Sequence, residues 1–253
     1  MVKLSRWSCA FILALSLSGL ALATPMAKEK DGDAQKVDSG SFGVFMNGRR
    51  VGTETFSITQ NANGSVIQSE FKTEGSSGQA TQNSELQLTG TGEIRRYEWK
   101  EQSPGKAQSV VIPNDQYLTQ KWSAGPQDKE QEQPYLLPTG TPILDDYFFV
   151  HREVLAWRYL ALACPQAKAD PCQRMQFGTL NPRQHTSASV SMAYLGPETV
   201  SKGDTKQKLH KMELKYDGGS WEIWLDEKFK VVRISIPSEK TEVIRDEVGA
   251  PPR

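Results

Sequence analysis

The chain has 253 residues, with 30 lysines and arginines balanced by 30 aspartates and glutamates, so its formal net charge is zero. Charge blocks are short and mixed in sign, which removes the electrostatic driver of nucleic-acid binding and excludes a nucleic-acid partner. The length is enough for one large or two small domains with a packed core.

The first 23 residues have the pattern of a secretory signal peptide. Lys3 and Arg6 form a short basic start, an apolar run follows, and the segment ends in Ala-Leu-Ala at 21–23. Cleavage is expected after Ala23. The apolar run, about 14 residues, is shorter than the ~20 needed to span a bilayer as a helix. The pattern therefore predicts a periplasmic or secreted protein with no transmembrane anchor in the mature chain.

Polar segments without periodicity flank the remaining chain. Residues 24–38 are interpreted as a flexible leader, and residues 249–253 as a loose tail. Residues 39–248 are then expected to form a single β-rich domain.

Short apolar-polar alternations separated by turn residues fill the first half of that domain. The segment Phe42–Met46 runs into Asn47-Gly48, a strong signal for a two-residue hairpin turn. The strands expected in this half are 42–46, 50–59, 65–74, 79–89, 92–101, 106–112 and 116–123.

The pattern changes in the middle of the chain. Residues 124–133 read as a polar loop, and residues 144–163 as the one convincing helix. Thr141 or Asp145 is the expected cap, and Asp145 and Asp146 suit the positive end of the helix dipole. Large apolar side chains recur at helical spacing, namely Leu144, Phe148, Leu155, Tyr159 and Leu162. So wide an apolar face predicts burial against the concave side of a sheet.

Only Cys164 and Cys172 remain once the signal peptide, with Cys9, is removed. An even number of cysteines in an exported protein favours one disulfide. The alternative is a site in which both thiolates bind a metal. That site lacks nearby histidines and the usual zinc spacing, so no metal is expected.

Strand patterns resume after the second cysteine. The expected strands are 173–179, 186–194, 206–216, 220–226, 229–237 and 240–245. Strands in hairpin order at intervals of about ten residues indicate an antiparallel sheet. The predicted fold is mainly β: a curved antiparallel sheet or half-open β-barrel of about 10–13 strands, with one helix packed on it.

Standard catalytic signatures are absent from the sequence. It contains no G-x-S-x-G, H-E-x-x-H, phosphate-loop or C-x-x-C motif, and we therefore expect no cofactor and assign no catalytic residue. Asp145, Asp146 and His151 are the best candidates for chemistry. They are interpreted first as dipole partners and a helix-surface histidine, with a hydrolase or metal enzyme kept as an alternative.

The aromatic residues suggest a binding surface. Trp221 and Trp224 have opposite parity in one strand, so they are predicted to lie on opposite faces of the sheet. A half-open barrel also leaves apolar wall uncovered, where an apolar ligand can bind. The candidate ligand-binding residues are Phe71, Tyr97, Trp99, Phe148 and Trp221.

Two hairpins carry a resemblance to known families. Gly43–Phe56 resembles the first hairpin of uncharacterised bacterial exported β-rich families, and Trp224–Pro237 is similar to their last hairpin. The resemblance implies a fold like the half-open barrel of periplasmic lipoprotein carriers. It supplies no site residues.

These observations favour a non-enzymatic envelope protein that binds a lipid or another hydrophobic small molecule in the concave face of the sheet. A protein-interaction module of the cell envelope is the second hypothesis, using a sheet edge or the 124–133 loop to bind another envelope protein. The enzyme centred on Asp145, Asp146 and His151 is the third.

Overall fold

The computed structural model describes residues 33–75, 79–164, 172–202 and 205–246. The predicted signal peptide, most of the predicted leader and the predicted tail at 249–253 lie outside the described residues.

One antiparallel sheet of fourteen strands forms the domain. The strands are β1 Gln35–Met46, β2 Arg49–Asn61, β3 Gly64–Thr73, β4 Thr81–Thr89, β5 Ile94–Ser103, β6 Gln108–Asn114, β7 Tyr117–Ser123, β8 Gln131–Tyr135, β9 Met175–Asn181, β10 Thr186–Lys202, β11 Thr205–Tyr216, β12 Gly219–Leu225, β13 Val231–Ile236 and β14 Thr241–Arg245. Sequential neighbours pair, and β1 also pairs with β14, which leaves β8 and β9 as the two edges. The predicted mainly-β antiparallel fold is confirmed, and the sheet is not closed.

Local sequence explains the hairpins. Asn47 and Gly48 both have positive φ, 51° and 76°, as the tight turn between β1 and β2 requires. Inward residues of β2 such as Phe56 and Ile58 are buried, whereas the residues between them are more exposed. This period-two pattern fixes which face of each strand enters the core.

The helix α1, Val150–Ala163, packs on the inner face of the sheet. Strands from both halves contact it: β2 through Glu54, β13 through the backbone of Val231, and β10 through the backbone of Tyr194. The sheet therefore curves around the helix, and the predicted position of the helix is confirmed.

The predicted helix start at residue 144 is wrong. The backbone amide of Leu144 donates to the carbonyl of Leu180 on β9, and the amide of Leu180 donates to Pro142, each at 3.0 Å. Ile143 and Leu180 form an isolated parallel bridge. Residues 142–144 thus satisfy their backbone groups on the edge strand, and the helix begins six residues later than predicted.

Two other boundaries also differ from the prediction. Residues 35–38 belong to β1 rather than to the predicted leader 24–38, because Gln35 pairs with Gln60 across to β2. Residues 131–133 belong to β8 rather than to the predicted loop 124–133, because Gln131 pairs with Trp122. Both segments are polar strand ends with mostly exposed side chains, Asp38 being the buried exception, so composition concealed their ladder hydrogen bonds.

The predicted disulfide is confirmed. Cys164 and Cys172 are bonded with their Cα atoms 4.9 Å apart. Cys164 is also the C-cap of α1, and its amide donates to the carbonyl of Leu160. The bond therefore ties the end of the helix to the segment that leads into β9.

A carboxylate from the sheet caps the helix. Phe149 stands at the N-cap position and makes no side-chain capping bond, so the predicted caps Thr141 and Asp145 are wrong. Glu54 on β2 instead accepts hydrogen bonds from the backbone amides of Phe149 at 2.7 Å and Val150 at 3.3 Å, and from the Ser69 hydroxyl at 2.7 Å. Glu54 is fully buried, and this burial raises its pKa to about 7.

Replacing Glu54 tests this cap. Glu54→Ala leaves two buried amides and one hydroxyl without an acceptor, so we expect the free energy of unfolding to fall by roughly 3 kcal/mol. Glu54→Gln keeps one acceptor oxygen and should cost about 1 kcal/mol. Urea unfolding followed by tryptophan fluorescence measures both. The control Glu70→Gln, on the exposed side of neighbouring β3, should change stability by less than about 0.5 kcal/mol. Equal stability of Glu54→Ala and wild type would contradict the capping role.

Candidate functional site

Three consecutive ionisable residues lie in the first turn of the helix, and all three are buried: His151, Arg152 and Glu153. Successive helical residues point about 100° apart, so these side chains reach three different walls of the interior. Each wall then sets a different electrostatic environment.

Arg152 holds together the segment just before the helix. Its Nη1 donates to the backbone carbonyls of Asp145 and Phe148. Its guanidinium carbon lies 4.6 Å from the ring centroid of Trp221 and 5.6 Å from that of Phe149. Burial lowers the pKa of Arg152, and the carboxylates of Asp146, Asp145 and Glu54 oppose that shift. Trp221, a predicted ligand residue, is therefore a partner of this buried cation.

Glu153 and Asp38 form a carboxyl pair on the opposite wall. Glu153 Oε2 accepts from the backbone amide of Val231 at 2.9 Å and from Arg245 at 2.8 Å. Asp38 accepts from Arg245 at 2.8 Å and from Lys230 at 2.6 Å. The pair joins α1 to the central strands β1, β13 and β14.

The two carboxyl groups of this pair have pKa values shifted in opposite directions. Burial, followed by a hydrogen bond with Asp38, raises the pKa of Glu153 to about 9. Burial acts in the same direction on Asp38, yet hydrogen bonds with Glu153, Arg245 and Lys230 outweigh it and lower the pKa of Asp38 to about 2. Arg245 contacts both carboxyl groups, whereas Lys230 contacts only Asp38, so the protonated form is favoured at Glu153 rather than at Asp38.

The three residues considered for catalysis are not joined. Asp145 accepts from the Tyr97 hydroxyl at 2.9 Å and from Arg183 at 3.1 Å. Asp146 accepts from the side-chain amides of Asn181, the last residue of β9, and Gln184 in the turn that follows. Neither carboxylate is hydrogen-bonded to His151. Over the described ranges, no group of three or more histidines, cysteines, aspartates and glutamates is arranged to hold a metal ion.

His151 is a buried neutral imidazole. Within the part of the chain that the structure describes, neither ring nitrogen has a hydrogen-bond partner. Its ring stands edge-on to Tyr97, with centroids 5.5 Å apart. Burial and, secondarily, the charge of Arg152 lower the pKa of His151 to about 3. The interpretation of His151 as a helix-surface residue is wrong, because α1 lies inside the curved sheet.

A cavity of about 450 Å³ separates one face of α1 from the sheet. The face carries His151, Leu155, Arg158 and Leu162, and the opposing wall comes from β2 to β5, including Leu86, Leu88 and Ile94. Eleven residues separate His151 from Leu162, which is about 16 Å along a helix. We call this space the helix–sheet cavity.

The five predicted ligand residues lie elsewhere. Phe71, Tyr97, Trp99 and Phe148 are buried in the core, Trp221 is half-buried beside Arg152, and the residues bordering the cavity do not include them. Trp99 and Phe148 come together around Arg183, whose guanidinium carbon lies 4.2 Å from the Trp99 ring centroid. Their role in ligand binding remains a prediction.

Sequence reasoning missed the cavity walls because it followed the largest aromatic side chains. A signal was present in the helix itself. His151, Leu155, Arg158 and Leu162 follow helical spacing but mix apolar, neutral polar and charged side chains, which is unlike a face packed wholly into a core.

The predicted opposite orientation of the two tryptophans is confirmed. Trp221 contacts the helix side of the sheet, whereas Trp224 lies on the outer face between Lys211 and Arg233, 4.9 and 4.7 Å from its ring centroid. Its Nε1 donates to Glu198 at 3.2 Å. The two cationic side chains cover Trp224, and this outer tryptophan is buried.

Comparisons with known proteins add one structural likeness. Searches against family models and against curated proteins gave no match. Among solved structures, a crystal structure of a DUF1089 family protein from Pseudomonas aeruginosa aligns with 74% of this chain and 90% of its own, at 11% sequence identity and a TM-score of 0.38.

In the described ranges, no helix is long and apolar enough to cross a membrane.

The Glu153–Asp38 pair predicts an unusual dependence of stability on pH. Since the pKa of Glu153 is raised from 4.5 to about 9, the folded protein keeps a proton that the unfolded chain releases within that range. The free energy of unfolding should therefore fall as pH rises, by roughly 1–2 kcal/mol between pH 7 and 8.5. Urea unfolding at several pH values measures this slope.

Glu153→Gln should flatten that slope, because the amide does not titrate. The control Glu213→Gln should keep the wild-type slope, because Arg174 and Lys215 lower the pKa of Glu213 against its partial burial and it titrates at acid pH. Wild-type stability that stays constant from pH 7 to 8.5 would show that Glu153 is ionised in the folded protein.

Proposed function

We propose that this protein binds an apolar ligand, such as an acyl chain, in the helix–sheet cavity. The observation that carries the proposal is the cavity itself: about 450 Å³ of space inside the curved sheet that the protein's own side chains do not fill. This volume lies within the usual range of small-molecule sites, roughly 300–1,000 Å³. Ten of the bordering residues have apolar side chains and seven have polar ones, His151 and Arg158 among them.

The cavity has an inner and an outer end. His151, at the first turn of α1, is only 1% exposed, whereas Leu162, near the last turn, is 52% exposed. The turn between β4 and β5, with Gly90 and Gly92, borders the cavity as well. A ligand would therefore enter near Leu162 and lie along the helix.

The energetics suit a chain-like ligand. Burying a methylene contributes about 0.8 kcal/mol, so about ten buried methylenes supply roughly 8 kcal/mol, the scale of micromolar affinity. The entropy cost of association reduces this value. The reduction is smaller for a ligand that already has its bound conformation before it binds.

We propose that this binding occurs outside the cytoplasm. The predicted signal peptide supports export, and the Cys164–Cys172 disulfide is typical of oxidising compartments. An exported protein with an apolar cavity and no predicted membrane anchor is suited to holding a lipid away from the bilayer.

The two other hypotheses have less support. Strand addition at edge β8 is disfavoured because Pro134 lacks a backbone donor. An enzyme at Asp145, Asp146 and His151 is disfavoured because their hydrogen bonds do not connect them.

Filling the cavity tests the proposal. Ala161 borders the cavity and is exposed, so Ala161→Trp should obstruct it without disturbing the core. We expect wild-type protein to bind the fluorescent apolar probe N-phenyl-1-naphthylamine, and Ala161→Trp to bind it at least about tenfold more weakly. Fluorescence titration gives both dissociation constants.

Ala188→Trp is the matched control, since Ala188 is an exposed alanine on β10 that does not border the cavity. It should bind the probe as wild type does. Equal loss of binding in both variants, or no binding by wild type, would overturn the proposed function.

A further inference from the structure

We infer that the ligand presents a neutral hydroxyl group to His151 at the inner end of the cavity, so that a hydroxylated apolar molecule is the preferred occupant. This inference rests on the proposed function and adds to it a class of ligand and a specificity-determining residue. Four observations support it.

The first is the unsatisfied imidazole. His151 borders the cavity, and neither of its ring nitrogens has a partner among the described residues. Each buried polar atom left in this state costs about 1–3 kcal/mol. A ligand group that bonds to the ring would recover that energy.

The second is the chemistry of the ring. Because the His151 side chain is neutral, it offers one N–H donor and one nitrogen acceptor. A hydroxyl group both donates and accepts, so it can bond to either nitrogen whichever tautomer is present. An alkane can do neither.

The third is the absence of a free cation at the inner end, judged over the described residues. Arg152 follows His151, but its Nη1 is committed to the carbonyls of Asp145 and Phe148, and Arg152 does not border the cavity. A carboxylate buried beside His151 would therefore be desolvated without a charge partner, which is costly.

The fourth is the position of the other cation. Arg158 borders the cavity seven residues after His151, about 10 Å farther toward the outer end. Its guanidinium also donates to the carbonyl of Gly140. An anionic group would bind nearer this outer end, and a neutral hydroxyl at the inner end.

Three ten-carbon probes separate these possibilities: 1-decanol, decane and decanoate at pH 8, each measured by displacement of N-phenyl-1-naphthylamine. Wild-type protein should bind 1-decanol about tenfold more tightly than decane, a difference of about 1.4 kcal/mol. His151→Leu should remove that preference and leave the affinity for decane unchanged. His151→Gln, whose amide has a donor and an acceptor, should restore part of it.

A second measurement reports on the ring directly. With 15N-labelled histidine, the imidazole resonances of His151 should shift when 1-decanol binds and stay in place when decane binds. Thermal unfolding of each variant checks that the fold is retained. His210→Leu is the matched control, since His210 on β11 does not border the cavity, and it should keep the preference for the alcohol over the alkane.

The outcomes are distinct. If His151→Leu keeps the wild-type preference for 1-decanol, or if wild type has none, the inference is overturned while the proposed function stands. The inference would also be overturned if wild type binds decanoate more tightly than 1-decanol and His151→Leu abolishes that difference. If none of the probes displaces the dye and the dye itself does not bind, the proposed function fails and the inference fails with it.

Discussion

The structure depends on how a helix can begin inside a curved sheet. The first amides of any helix lack partners within it, and at the surface water supplies them. Here the first turn is buried, and the carboxyl group of Glu54 supplies the acceptors from β2. This contact anchors α1 to one half of the sheet, while Glu153 anchors it to the central strands. The position of the helix then leaves the cavity beside His151.

Desolvation gives the ionisable residues of the first turn different states. Burial raises the pKa of Glu153 next to Asp38, lowers the pKa of His151, and lowers that of Arg152, whose charge the nearby carboxylates favour. Three neighbours in sequence thus meet three different environments, because a helix points them at three walls. The His151 ring, which has no hydrogen-bond partner among the described residues, borders the cavity, and this joins the architecture to the proposed binding site.

Local signals predicted much of the fold, whereas the site depends on distant contacts. The Asn47-Gly48 turn, the disulfide and the opposite faces of Trp221 and Trp224 follow from neighbouring residues. The cap does not, because Glu54 lies 95 residues before Phe149. The start of the helix was missed for the same reason: the backbone just before it pairs with β9, and no local pattern predicts that partner. The cavity is the space left by these long-range contacts, so local sequence patterns did not predict its walls.

The pairing of β1 with β14 places the two ends of the domain side by side in the middle of the sheet. The Ser41 hydroxyl donates to Asp246, 205 residues away. Each half of the sheet can assemble from consecutive hairpins, but the halves join only after the last strand is available. Such a long loop closure slows folding. The seam between the halves therefore forms last, and until then β1 and β14 are unpaired edge strands that can pair with another chain.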